Sequence, residues 1–351
     1  MSHILVNSKQ QQEVISSLLQ KGVPSYRQAY SDRTAWLMAC MSELAYIRFN
    51  PLLIDVNLNC LIKKISDLGV NSVDVKNFQT IVSAINYDHE AEKKKLEQEL
   101  EQLECKLVQT FDNEGTQAIL VSNKQCIILA FRGTEATSIK DIKSDAKAVS
   151  KADEDGGKIH SGFDEAYQKI AFDVEKALNA DDNKEKPLFI TGHSLGGALA
   201  TIAAKKITHK AGNAACYTFG APRVGDEAWV SNIKTPLYRV VNAADCVTML
   251  PPSSEMVTVI GWILGLTPHV GKIVRTWILA KFGGYLHGGD MRYITNCARG
   301  NYKEVKLLYS VSWFYRVKAL IVKKLPWKKT LLDHSIIVYR KKLLIIAQNR
   351  T

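Results

Sequence analysis

The stretch PLFITGHSLGGALATIAAKKI, residues 187–207, constrains the fold more than any other part of the chain. A short apolar run enters a Gly-x-Ser-x-Gly pentapeptide, and a run of strong helix formers leaves it. A strand that becomes a helix across one residue forces Ser194 into strained φ/ψ and lifts its Oγ clear of the sheet. Gly192 and Gly196 leave room for backbones to cross closely. The N–H of Leu195, at the N-terminus of the following helix, points to where a developing oxyanion would sit. The pentapeptide alone is common in unrelated sequences; the strand before it and the helix after it give it meaning.

The surrounding pattern agrees. QAILVS (117–122) and CIILAF (126–131) flank the turn-like pair Asn123-Lys124 and read as two neighbouring strands. PLFIT (187–191), AACYTF (214–219) and PLYRVV (236–241) are further apolar runs of strand length, separated by helical pattern. Strands alternating with helices predict an α/β fold: a mainly parallel central sheet flanked by helices on both faces. The first 110 residues read as helical. RTAWLMACMSELAY (33–46) is expected to pack under the sheet, and DHEAEKKKLEQELEQLECK (88–106) to form a solvent-facing helix with Leu96, Leu100, Leu103 and Leu107 on one stripe.

With 351 residues, 46% of them hydrophobic, the chain is large enough to bury a substantial core. A single domain over 1–351 is expected, with a catalytic core over 116–343 and an apolar insertion over 253–284. The seven cysteines are odd in number and lack metal-ligand spacing, so they read as reduced thiols in a cytoplasmic protein, with no disulfide framework and no metal. The N-terminus lacks the basic and apolar regions of a conventional secretory signal. Of the net charge of +11, most sits in residues 301–351, where twelve Lys/Arg face two Asp/Glu. These cations are interleaved with Trp313, Phe314, Tyr315, Leu320, Ile321, Val322 and Trp327. That mixture suits an anionic membrane surface better than nucleic acid, for which the chain carries no motif. The alternative is a cationic outer face on an ordinary helix.

Several stretches, in order, resemble the class 3 lipase family, the fungal-type triacylglycerol lipases and their bacterial and plant relatives. They are ILAFRGTE (128–135), KIHSGFDEAY (158–167), ITGHSLGGALA (190–200), YTFGAPRVGD (217–226), YRVVNAADCVTMLPP (238–252), YLHGGDMRY (285–293) and LLDHSIIVY (331–339). The resemblance covers roughly residues 116–343. It implies the α/β-hydrolase fold with a helical lid, and hydrolysis of lipid esters through an acyl-enzyme, with no cofactor.

A serine hydroxyl needs a histidine to take its proton and an acid to orient that histidine. The resemblance assigns Ser194 as nucleophile, Asp245 as acid and His334 as base. His287 remains the alternative base, while Asp226 and Asp290 read as caps of a helix or turn. His160 and His193 match family positions as structural groups, one ordering the turn after the lid and the other flanking the nucleophile. The oxyanion hole is expected from Leu195 N–H and from Thr134, and Arg132 is expected to tie the turn that carries Thr134. The lid position, EATSIKDIKSDAKAVSKADEDGGKI (135–159), has only a thin apolar stripe of Ile139, Ile142, Ala146 and Val149. Together with the apolar insertion and the basic tail, this points to a charged bilayer substrate, hence a phospholipase A or a monoacyl-lipid esterase. An acyltransferase, or a membrane-interaction module without activity, is the alternative. Oligomeric state is not legible.

Overall fold

A computed structural model of the chain describes residues 4–6, 8–24, 29–47, 89–133, 150–251, 284–297, 300–312, 315–316 and 332–349. The elements, in chain order, are α1 (Lys9–Gln20), α2 (Asp32–Leu44), α3 (His89–Glu101), β1 (Lys106–Asn113), β2 (Thr116–Ser122) and β3 (Ile127–Phe131). Next come β4 (Ser150–Ala152), β5 (Lys158–His160), α4 (Ser161–Leu178), β6 (Leu188–His193), α5 (Leu195–Lys206) and β7 (Asn213–Phe219). The last are α6 (Glu227–Ser231), β8 (Leu237–Asn242), β9 (Asp290–Ile294), β10 (Leu307–Leu308) and α7 (Ile336–Asn349).

Eight strands form one sheet in the order β1-β2-β3-β6-β7-β8-β9-β10. β3, β6, β7, β8 and β9 run parallel, β1 and β2 are antiparallel additions on one edge, and β10 is antiparallel on the other. The expected mainly parallel sheet is present. Both of its faces are covered, so its strands are apolar on both sides, and period-two alternation sends neighbours to opposite layers. Ile119, Val121, Ile128 and Ala130 face a core shared with α1, α2, α3 and α7. Leu120, Ile127, Leu129 and Phe131 face one shared with α4 and α5.

α2, within the stretch RTAWLMACMSELAY, is buried at every residue from Thr34 to Leu44. A helix that is buried all round needs no polar stripe. Its N-terminus is capped by the Ser31 side chain, which accepts the Thr34 N–H. α7 packs along α2, and the buried carboxylate of Glu43 pairs with the Arg340 guanidinium. The buried Glu99 of α3 accepts the N–H groups of Ile4 and Leu5, at 2.6 and 3.1 Å, tying the first described residues to the same layer.

Two expectations about the N-terminal part are corrected. The first 110 residues are not all helical, because β1 begins at Lys106. The leucine stripe therefore ends before Leu107, and α3 is not simply solvent-facing, since Leu96, Glu99 and Leu100 are buried. The helix stops because Glu104 adopts a left-handed conformation, φ 55°, and the Cys105 N–H returns to the Leu100 carbonyl.

Most of the lid position, residues 135–149, lies outside the described residues, as do residues 253–283 of the apolar insertion. The end of the lid stretch is the β4–β5 hairpin. Ion pairs fasten it: Asp153 takes the Trp229 indole N–H at 2.7 Å and pairs with Lys205 and Lys206, while Lys206 and the exposed Lys151 hold Asp164 of α4. Among the described residues, no helix is long and apolar enough to cross a membrane.

Candidate active site

Ser194 follows the last residue of β6 and precedes the first residue of α5. Its φ of 58° lies in the left-handed region, where a side chain is strained, and its N–H is held by the Phe219 carbonyl at 2.9 Å. The elbow closes this tightly because positions 192 and 196 lack a side chain. A Cβ at Gly192 would collide with the Gly196 carbonyl, and one at Gly196 with the Phe131 carbonyl of β3.

The structure brings Ser194, His334 and Asp245 together, all three buried. His334 Nε2 lies 2.9 Å from Ser194 Oγ, and His334 Nδ1 lies 3.0 and 2.9 Å from Asp245 Oδ1 and Oδ2. A carboxylate only accepts, so Nδ1 carries the ring proton and Nε2 is the acceptor for the serine hydroxyl. Asp245 sits in the loop after β8, reached through Ala243 at φ 40°. Its oxygens also accept the Tyr339 hydroxyl at 2.6 Å and the Val247 N–H at 3.0 Å. Burial by itself would raise its pKa. The nearby His334, with hydrogen bonds from His334 and Tyr339, outweighs that and holds the carboxyl below its ordinary range.

The acid loop is stapled to the segment that carries the base. Asn242 donates its backbone N–H to Tyr339 Oη at 2.9 Å and its side-chain amide to the Asp333 carbonyl at 2.7 Å. Lys342 Nζ reaches Asn242 Oδ1 at 2.7 Å, and Arg316 donates to the Asp245 carbonyl at 3.1 Å and to Thr248 Oγ1. Tyr339 and Arg316 were not singled out from the sequence. Tyr339 lay in view within LLDHSIIVY, whereas nothing local marks Arg316. Gly220, just past β7, makes the geometry feasible: at φ 60° it stands where a Cβ would lie 2.6 Å from Asp245 Oδ2 and 2.9 Å from His334 Nδ1.

The other histidines are placed elsewhere. The ring of His287 is bound to the Thr248 carbonyl at 2.7 Å. Burial and the neighbouring arginines 239 and 223 push its pKa well down, so it is a neutral donor to the acid loop and not a partner of Ser194. His160 ends β5 and stacks on Phe163, centroids 4.0 Å apart. His193 contacts the base segment, donating from Nε2 to the His334 carbonyl at 2.6 Å. Asp226 caps α6 through the Trp229 N–H, and Asp290 opens β9. Leu195 N–H is the first of α5 and has no intrahelical acceptor, whereas the Gly197 and Ala198 N–H groups turn back to the Ser194 carbonyl. Thr134 lies outside the described residues. Gly133 beside it packs so closely on the elbow that a Cβ would lie 2.5 Å from the His193 carbonyl and 3.3 Å from Ser194 Cβ. Arg132 reaches back to the Gln117 amide oxygen of β2. Among the described residues no group of side chains is arranged to hold a metal ion.

The sheet order, the strained serine between strand and helix, and the acid and histidine delivered after later strands define an α/β-hydrolase fold carrying a Ser–His–Asp constellation. Residues 128–255 match the family described as lipase (class 3). A lipase of Rhizopus niveus is 33% identical over 170 residues, which cover 42% of this chain and 42% of that one. The secreted mono- and diacylglycerol lipase 1 of Fusarium solani is 36% identical over 99 residues, covering 27% and 30%. The chain thus spans less than half the length of these relatives. In structure, a mutant form of MDLA from Penicillium cyclopium superposes with a TM-score of 0.54, at 17% identity, over 89% of this chain and 97% of that one. That likeness concerns the fold.

Proposed function

We propose that the protein is a serine carboxylester hydrolase acting on lipid esters. The observation that carries this reading is the unbroken hydrogen-bond chain from Ser194 Oγ through His334 to Asp245, built on a strained elbow. In this mechanism His334 Nε2 takes the hydroxyl proton as Ser194 attacks the ester carbonyl. Asp245 holds the ring and stabilises the imidazolium. The tetrahedral oxyanion is held by Leu195 N–H and by Thr134. His334 then passes its proton to the leaving alcohol, leaving an acyl-serine that water hydrolyses by the same steps. The family match and the lipases among the relatives support lipid esters as the substrate class. Ser194→Ala is expected to lower p-nitrophenyl ester hydrolysis by about 10⁴-fold or more and to abolish fluorophosphonate labelling, with folding retained. Full activity in a pure Ser194→Ala preparation would overturn the assignment.

The reading extends to a charged bilayer as the place of action, with a phospholipid or monoacyl lipid as substrate and the basic region 301–351 as the contact. Of the six described cations there, Arg316, Arg340 and Lys342 are buried and serve the interior, while Lys303, Lys306 and Lys341 are exposed. At about 1 kcal/mol per engaged cation, four would favour anionic over zwitterionic vesicles by several hundred-fold, and less at high salt. Co-sedimentation of Ser194→Ala with both vesicle types, at two salt concentrations, tests this. Equal, salt-independent partitioning refutes it. The free thiols of the six described cysteines support a reducing, cytoplasmic setting.

A further inference from the structure

His193 immediately precedes the nucleophile, and its ring packs among Tyr46, His334 and Tyr339. Both of its nitrogens are engaged. Nε2 lies 2.6 Å from the backbone carbonyl of His334, and Nδ1 lies 2.8 Å from the Tyr46 hydroxyl. A carbonyl can only accept, so Nε2 bears the hydrogen, and in a neutral ring Nδ1 is then the acceptor for the tyrosine O–H. The two bonds together select one tautomer and one ring orientation.

The same ring must stay uncharged. Its centroid lies 4.5 Å from that of His334, which becomes an imidazolium during the proposed reaction. A second cation at that distance would oppose proton transfer. Burial, with His334 alongside, depresses the His193 pKa to about 3, so the ring is neutral wherever the reaction would run. The support for His334 is thus divided. Asp245 holds its ring from one side, and His193 holds its main chain from the other. Tyr46, two residues past the end of α2, sets the ring that does so.

We infer that His193 is a positioning residue for the general base, fixing the His334 backbone as a neutral donor whose tautomer Tyr46 selects. The inference rests on the hydrolase reading above and goes beyond it by giving α2 and its Tyr46 a part in the site. Three variants separate the bonds. His193→Leu keeps an apolar side chain but deletes both bonds. His193→Gln restores a donor near the Nε2 position. Tyr46→Phe removes only the hydroxyl that selects the tautomer.

Ester hydrolysis by the full chain is expected to fall in kcat by about 10²- to 10³-fold in His193→Leu, with KM within about twofold. His193→Gln should recover to within about tenfold of wild type, and Tyr46→Phe should lose about 5- to 20-fold. Nitrogen-15 NMR of histidine-labelled Ser194→Ala protein should show the His193 ring protonated on Nε2 alone and not titrating between pH 8 and pH 5, its signal identified by its loss in a His193→Gln, Ser194→Ala double variant that retains the similar signal of His287. A folded His193→Leu with kcat within threefold of wild type would overturn the inference. So would a His193 ring that is protonated on Nδ1 or that titrates near its ordinary pKa. If His193→Leu does not fold, the NMR result and the Tyr46→Phe kinetics decide. A wild type that neither hydrolyses esters nor takes the fluorophosphonate label would instead defeat the hydrolase reading itself.

Discussion

Gly220 offers the sharpest test of the site geometry. At φ 60° an L-residue costs roughly 1–2 kcal/mol, and an added Cβ would stand 2.6 Å from Asp245 Oδ2 and 2.9 Å from His334 Nδ1. Non-bonded contacts involving carbon settle at about 3.5 Å, so Gly220→Ala must move the acid and the base, or its own loop, by the better part of an ångström. Weakening the charged His334–Asp245 hydrogen bond adds on the order of 1–2 kcal/mol. The sum, about 2–4 kcal/mol, corresponds to a Tm lower by several degrees in a protein of this size. Misplacement on this scale is worth about 10²-fold in rate, so kcat should fall 10- to 100-fold or more while KM changes little. Gly212→Ala is the control. Its φ is 85°, yet a Cβ there meets nothing within 4 Å, so it carries the backbone strain without the collision. Thermal unfolding and p-nitrophenyl ester kinetics on both variants read the two effects separately. A folded Gly220→Ala with wild-type kcat, or a Gly212→Ala with an equal loss of kcat, would refute the argument that the Gly220 backbone supports the acid–base pair.

Two further outcomes are expected. His334→Ala should abolish ester turnover and probe labelling at neutral pH, whereas His287→Ala should keep measurable labelling and lose mainly stability; the reverse pattern would make His287 the base. Acid should destabilise the fold through His193, because its folded pKa of about 3 lies below the ordinary 6.5 and the unfolded chain therefore binds the extra proton. Stability is lost as pH falls from roughly 6.5 towards 3, by at most about 5 kcal/mol from this residue, so denaturant unfolding of His193→Gln should show a shallower pH slope there, and an identical slope would contradict it.

The elbow and its neighbouring strands were legible because each is local. An apolar run, a glycine pair and a helix-forming run each declare themselves within a few residues, and β2, β3, β6, β7 and β8 lie within a residue or two of where the pattern puts them. β1 was not legible, and the reason is specific. The helix before it ends at Glu101 and the turn after it closes on Glu104 in a left-handed conformation, with neither glycine nor proline to mark the stop, and Leu107 happens to continue the leucine spacing. β9 and β10 are short strands at one edge, only partly buried, and leave little apolar signal. Asp245 and His334 could be placed through the family resemblance, but the groups that hold them could not. Tyr339, Arg316 and the Tyr46–His193 pair act across separations of tens to hundreds of residues, and no local pattern encodes such partnerships.

The pairing of α2 with α7 also sets an order of events during synthesis. Glu43 and Arg340 stand 297 residues apart, and the base of the proposed triad lies two residues before the helix that Arg340 belongs to. A growing chain can thread β1 to β9, form the elbow and expose Ser194 on its strained turn long before α7 exists. Until that helix has been made and has settled against α2, neither His334 nor Tyr339 reaches Asp245, and the serine has no base. In the proposed mechanism, then, Ser194 gains its base only once α7 has settled against α2.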